Sequence, residues 1–223
     1  MRSLLTAATI SLAFTLFLTP LFIRLFEKLG WGQVIRTPEN AHNPSHQAKR
    51  GTPTMGGVIF ILGSIVGYFV GTLTGGAPPS ISGLLVIWMM VGLGAVGFID
   101  DYMKVRQQRS LGLSGWRKIV GQVLVAVPFG ILALNFPNRV AQTPASPYIS
   151  FFRDIPMLSF LALGAVIGWI AYLVWISFLS VAWSNATNLT DGLDGLATGA
   201  GIFTVSAYSL VTFWQFQQRC ASD

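Results

Sequence analysis

Four of the chain's eight acidic residues fall in two tight clusters. The first is "GFIDDYMKV", residues 97–105, where Asp100 and Asp101 are adjacent and Lys104 follows three residues on. The second is "WSNATNLTDGLDGLATG", residues 183–199, where Asn185, Asn188, Asp191 and Asp194 recur at every third position. A third polar group, "HNPSHQAKRGTPTMGG", residues 42–57, supplies Lys49, Arg50, the Thr54 hydroxyl and both histidines, His42 and His46. Carboxylates and amides are hard oxygen ligands, suited to a Mg²⁺ that keeps several waters and bridges to phosphate. Cations beside a glycine-opened helix start favour an anion. On a helix, neighbours point about 100° apart, so Asp100 and Asp101 are expected to have different tasks, one facing a metal and the other an acceptor.

Each cluster also has a bland reading. An acid pair at a span end is often a solvated helix terminus, a basic loop is often a topology signal, and loop histidines are usually just exposed. The amide and carboxylate series at 185–194 is the hardest to dismiss, because an ordinary membrane turn seldom needs such a set. Together the clusters suit a reaction between a water-soluble phosphorylated donor and a lipid phosphate. A divalent metal would neutralise the donor's pyrophosphate and cations would hold the remaining phosphates.

The elements that carry these groups are apolar. The chain is 52% hydrophobic and 10% charged, with a mean hydropathy of +0.62, whereas a soluble domain carries roughly 25% charged residues. Apolar segments of span length lie at about 3–23, 57–76, 82–99, 119–136, 159–182 and 196–214. The expected fold is an all-α polytopic transmembrane helix bundle, one integral membrane domain over residues 1–223. The N-terminal apolar run is too long for a signal peptide and reads as the first span. Cys220 is the sole cysteine, which excludes an internal disulfide.

Ten of the fourteen cations lie in two segments, 24–56 and 100–118. The positive-inside rule assigns both to the cytoplasm, and with them the turn at 183–195. All three polar clusters then face the cytoplasm. The net charge of +6 is accounted for by this topology, so nucleic acid is not an expected partner.

At "KRGTPTMGG" (49–57), "GFIDDYMKV" (97–105), "GLSGWRKIVGQ" (112–122) and "NATNLTDGLDGLATG" (185–199) the chain resembles the polyprenyl-phosphate N-acetylhexosamine-1-phosphate transferases. The resemblance is nearest to the branch whose donor is UDP-N-acetylmuramoyl-pentapeptide; members using N-acetylglucosamine donors look different around the first stretch. It implies a multi-pass enzyme of the bacterial plasma membrane, active on its cytoplasmic face. That enzyme would transfer the phospho-sugar to undecaprenyl phosphate, release UMP and require Mg²⁺. Asp100, Asp101, Asp191 and Asp194 match catalytic positions, Asp100 being the aspartate that deprotonates or orients the lipid phosphate. Lys49, Thr54, Lys104, Lys118 and Asn188 match substrate-binding positions, and Asp101 and Asp191 match the metal side of the site. Family members often dimerise, so a homodimer is also implied. They have about ten spans, a "GDxGS"-like metal-binding segment and a histidine-rich loop near the C-terminus. Residues 1–223 contain about six spans and neither motif, so the expectation is an N-terminal part of a longer transferase.

Three other readings remain. A paralogue transferring N-acetylglucosamine-1-phosphate would use the same clusters. An inactive fragment would keep the scaffold without turnover. A transporter would put its ionisable groups near the bilayer midplane, whereas these lie at span ends.

Overall fold

The computed structural model describes residues 2–32, 53–76, 78–108, 112–137, 143–150, 154–191 and 195–220. Among the described residues six helices carry the fold: α1 (Arg2–Lys28), α2 (Gly57–Thr74), α3 (Ile81–Gln107), α4 (Gly115–Asn135), α5 (Ala165–Thr190) and α6 (Leu196–Cys220). All six contain segments long and apolar enough to cross a membrane. Their outward residues are large and apolar, for example Phe17 on α1 and Phe203 and Leu210 on α6, all mostly exposed. Lipid is the solvent such surfaces suit, and a helix satisfies its own backbone there. Two compact units make up the chain, Met1–Phe178 and Leu179–Asp223, the second beginning within α5.

Close helix packing is written in small residues. Gly63, Gly67 and Gly71 form a buried stripe on α2, one residue per helical turn. Opposite them α1 presents Thr15, Ser11, Ala7 and Ser3 at the same spacing, and backbone meets backbone. The hydroxyl of Thr15 donates to the Ser11 carbonyl of its own helix at 2.8 Å, so it needs no partner across the seam.

The approach to α3 is tied down at Ser80. Tyr68 Oη accepts from the Ser80 N–H at 3.0 Å, and Ser80 Oγ caps α3 by accepting from the Gly83 N–H at 3.1 Å. α3 then packs on α4, with Gly92 against Val125. Pro128 interrupts the ladder of α4, lacking an N–H and crowding the turn before it. Within that turn the Val125 carbonyl accepts from Trp88 Nε1 of α3 at 3.1 Å.

Two features differ from the sequence expectation. The segment between the spans expected at 119–136 and 159–182 contains two antiparallel strands, β1 (Tyr148–Ser150) paired with β2 (Asp154–Ser159). The fifth span, expected at 159–182, runs instead from Ala165 to Thr190. Its apolar first residues, Phe160–Leu163, form a 3₁₀ turn, and Gly164 at φ 86° breaks the path into the helix. At the other end the helix continues through the expected turn. Asn185, Thr187 and Thr190 bond back to the carbonyls of Val181, Trp183 and Ala186 at 2.8–2.9 Å. Their side chains therefore do not compete for the backbone in a non-helical form.

Candidate active site

The site begins with the way α1 stops. "EKLGWG" ends the helix with Gly30 in the left-handed region at φ 69°. The Gly30 N–H donates to the Glu27 carbonyl at 3.0 Å, and the Trp31 N–H to the Phe26 carbonyl at 2.9 Å. These are the two bonds of a Schellman cap, completed by the Trp31 ring stacked on Phe26 at 5.4 Å. The cap fixes the Trp31 carbonyl, which accepts from the Thr54 N–H at 3.1 Å, while Gly32 pairs with Pro53. Residues 53–55 thus return to the end of α1 as a short strap.

Met55 completes the strap with a left-handed backbone, φ 66°. For a residue with a Cβ this costs about 1–2 kcal/mol. Its side chain is 6% exposed, clustered with Phe26 and Val105 and flanked by Trp31, Phe98 and Tyr102. Burying it contributes about 1.5–3 kcal/mol, enough to offset the backbone term.

The strap faces the last turns of α3. That helix has 27 residues, so it is about 40 Å long against roughly 30 Å of hydrocarbon. Asp100, Asp101 and Lys104 ride on the excess. Lys104 Nζ lies 2.6 Å from Asp100 Oδ2 and 2.8 Å from Asp101 Oδ1, bridging positions four and three residues before it. The two carboxylates otherwise meet different neighbours, as their angular separation on the helix requires. The Asp101 side chain is 35% exposed, and its Oδ2 accepts from the Thr54 hydroxyl at 3.3 Å. The Asp100 side chain is 9% exposed.

Asp100 Oδ1 accepts from the Leu113 N–H at 2.7 Å. Such a close approach needs Gly112, because a Cβ there would fall on the Asp100 carboxylate and its carbonyl. Immediately after, Ser114 begins α4, and the Lys118 N–H donates to the Ser114 carbonyl at 3.1 Å. Arg117 and Lys118 therefore sit in the first turn of α4, at the positive end of its dipole. Cations are unfavourable at that end by about 0.3–1 kcal/mol each, a penalty that an arriving anion relieves.

In the second unit, Asn185 and Asn188 lie on the last turns of α5, and Asp191 follows its end. The Asp191 N–H still bonds the Thr187 carbonyl at 3.1 Å. Asn188 and Asp191 are exposed. Lys49 and Asp194, with His42 and His46, lie outside the described residues.

Among the described residues no three His, Cys, Asp or Glu side chains gather into a metal set. The Asp100, Asp101 and Lys104 group carries one negative charge in excess, and Asp101 offers hard oxygens partly open to solvent. In kind, these donors fit a Mg²⁺ that retains most of its water.

Three contributors escape a reading by residue type. The Leu113 N–H is a backbone group, Trp31 acts through its carbonyl, and Met55 acts through its conformation. The "LGWG" cap and the glycine of "LGLSG" were the signals available.

Residues 83–222 match the family described as glycosyl transferase family 4. Residues 49–61 match a phospho-N-acetylmuramoyl-pentapeptide-transferase signature. Among curated proteins the chain is similar to the phospho-N-acetylmuramoyl-pentapeptide-transferase of Clavibacter sepedonicus, 55% identical over 228 residues, covering 100% of this chain and 61% of the relative. The like-named protein of Beutenbergia cavernae is 48% identical over 221 residues, covering 99% and 60%. That of Streptomyces griseus is 46% identical over 222 residues, covering 100% and 59%. The chain thus spans about three-fifths of the length of these relatives.

Proposed function

The chain belongs to glycosyl transferase family 4, and from that premise we propose that it acts in phospho-N-acetylmuramoyl-pentapeptide transfer, the first lipid-linked step of peptidoglycan synthesis. The observation that carries this reading is the contact of Thr54, inside the matched signature, with Asp101 at the end of α3. The names of the similar proteins support the same activity.

In this reading an oxygen of undecaprenyl phosphate attacks the β-phosphorus of UDP-N-acetylmuramoyl-pentapeptide. A new phosphorus–oxygen bond forms to the lipid, the bond to the α-phosphate oxygen breaks, and UMP departs with that electron pair. No covalent enzyme intermediate is needed, because positioning and charge stabilisation suffice. Asp100, held by Leu113 and Lys104, orients the acceptor side. Lys104 and Lys118, with Lys49, balance phosphate charge, and Thr54 and Asn188 contribute hydrogen bonds. By the resemblance, Asp101 and Asp191 each match a metal position of the family and Asp194 a further catalytic position; a bound Mg²⁺ would neutralise pyrophosphate charge. The basic segments support a site on the cytoplasmic face of the bacterial plasma membrane, where the lipid phosphate and the soluble donor would meet.

The test uses the full-length gene product in membranes, supplied with undecaprenyl phosphate, Mg²⁺ and either UDP-N-acetylmuramoyl-pentapeptide or UDP-N-acetylglucosamine. UMP release and a lipid-linked product from the muramoyl donor are expected, with Asp101→Asn inactive although inserted. Transfer from N-acetylglucosamine donor alone, or near-normal turnover by Asp101→Asn, would reject the assignment.

A further inference from the structure

Met55 is one of two non-glycine residues with positive φ among those described, at 66°. Its side chain has no polar group to support that conformation locally, as asparagine or aspartate would. Glycine stands next to it, yet Gly56 takes an ordinary right-handed backbone at φ −56°. The costly turn therefore falls on the residue with the anchor. That anchor is 6% exposed and clusters with Phe26 of α1 and Val105 of α3. It fastens the strap to both helices at once.

The residue before it is Thr54, whose hydroxyl reaches Asp101 Oδ2 at 3.3 Å. A hydroxyl–carboxylate bond of good geometry is usually nearer 2.5–2.7 Å, so this contact is too long to hold the strap in place. The seat must come from elsewhere. On one side it comes from the Thr54 N–H on the Trp31 carbonyl and the Gly32–Pro53 pairing. On the other side it comes from Met55, through which the strap enters α2, its carbonyl accepting from the Val58 N–H at 3.2 Å. We infer that Met55 is a positioning residue for the transfer reaction: its left-handed turn and buried side chain deliver the Thr54 hydroxyl to Asp101. The inference rests on the proposed transfer for its kinetic readout but not for its structural one.

The experiment uses the full-length gene product with Met55→Ala, Met55→Leu, Met55→Gly, Thr54→Val and the Met55→Ala/Thr54→Val pair. Met55→Ala is expected to lower kcat about tenfold with KM for the donor little changed, and Met55→Leu to recover most of the loss. Met55→Gly, free to adopt the turn but lacking the anchor, should resemble Met55→Ala. In the Thr54→Val background, Met55→Ala should change kcat less than twofold, because residues acting through one contact are not additive. Independent, multiplicative losses in that cycle, or wild-type behaviour of Met55→Gly, would overturn the inference. A second arm needs no activity: Thr54→Cys with Asp101→Cys is oxidised in the membrane, and cross-linking is read on the inserted fraction. High yield with Met55 and low yield with Met55→Gly is expected, whereas yields independent of residue 55 refute the anchor. A chain that transfers no sugar yet shows the expected cross-linking would reject the function and keep the anchor.

Discussion

Replacing Gly112 by alanine tests whether the backbone of residues 112–113 holds Asp100. A Cβ at Gly112 would lie 2.7 Å from Asp100 Cγ and 2.7 Å from the Asp100 carbonyl oxygen, where ordinary contact begins at 3.4 Å. Relief requires the segment to retreat by at least about 0.7 Å, because Asp100 Oδ1 would lie nearer still and the helix behind Asp100 is the stiffer partner. The same retreat lengthens the 2.7 Å bond from the Leu113 N–H to Oδ1 to about 3.4 Å, past useful hydrogen-bond length. A hydrogen bond to a charged group contributes about 1.5–3 kcal/mol, and alanine's stiffer unfolded chain returns about 0.4–1, leaving a loss of about 1–2 kcal/mol. Thermal unfolding in detergent should therefore show a lower midpoint for Gly112→Ala. If Asp100 must be aimed for transfer, the same energy lowers kcat by about five- to thirtyfold. Gly115→Ala is the control, because a Cβ there meets nothing within 4 Å. A Gly112→Ala chain as stable and as fast as Gly115→Ala would show that this backbone contact does not orient the carboxylate.

Two further outcomes follow from packing and charge. At Gly67 a Cβ would meet the Ala7 carbonyl at 2.6 Å, whereas at Gly199 it meets nothing within 4 Å; Gly67→Ala should lose about 1–3 kcal/mol by overpacking while Gly199→Ala is neutral or stabilising, and equal midpoints would contradict the close seam between α1 and α2. Lys104→Met leaves two adjacent carboxylates, one of them buried, without their shared cation. The loss is about 3–5 kcal/mol for a fully buried pair and nearer 2 here, with Lys104 about a third exposed. Its unfolding midpoint should fall well below that of Lys118→Met, whose amine meets no carboxylate among the described residues; similar midpoints would remove Lys104 from its bridging role.

Much of the scaffold could be read from residue types, because a charge-free apolar run in a chain this poor in charge has few homes other than lipid. The limits of the helices were harder. The run at 82–99 became Ile81–Gln107, since Asp100, Asp101 and Lys104 pair along the helix and so extend it beyond the apolar segment. The fifth span was displaced because apolarity at Phe160–Leu163 gives no notice of the break at Gly164. Within the site, Asp100, Asp101 and Lys104 were visible as a cluster because they are near in sequence. Thr54 stood out only as a motif residue, and its contact with Asp101 spans 47 positions that no local pattern encodes. Leu113 was invisible in principle, since its contribution is an amide that every residue but proline carries.

The pairing of Gly32 with Pro53 has an evolutionary corollary. That pairing and the Thr54 N–H on the Trp31 carbonyl both hold residues 53–54 to the end of α1, so the place of Thr54 against Asp101 depends on the cap that finishes that helix. Variation in how α1 ends is therefore constrained by the carboxylates of α3, which it reaches through backbone alone.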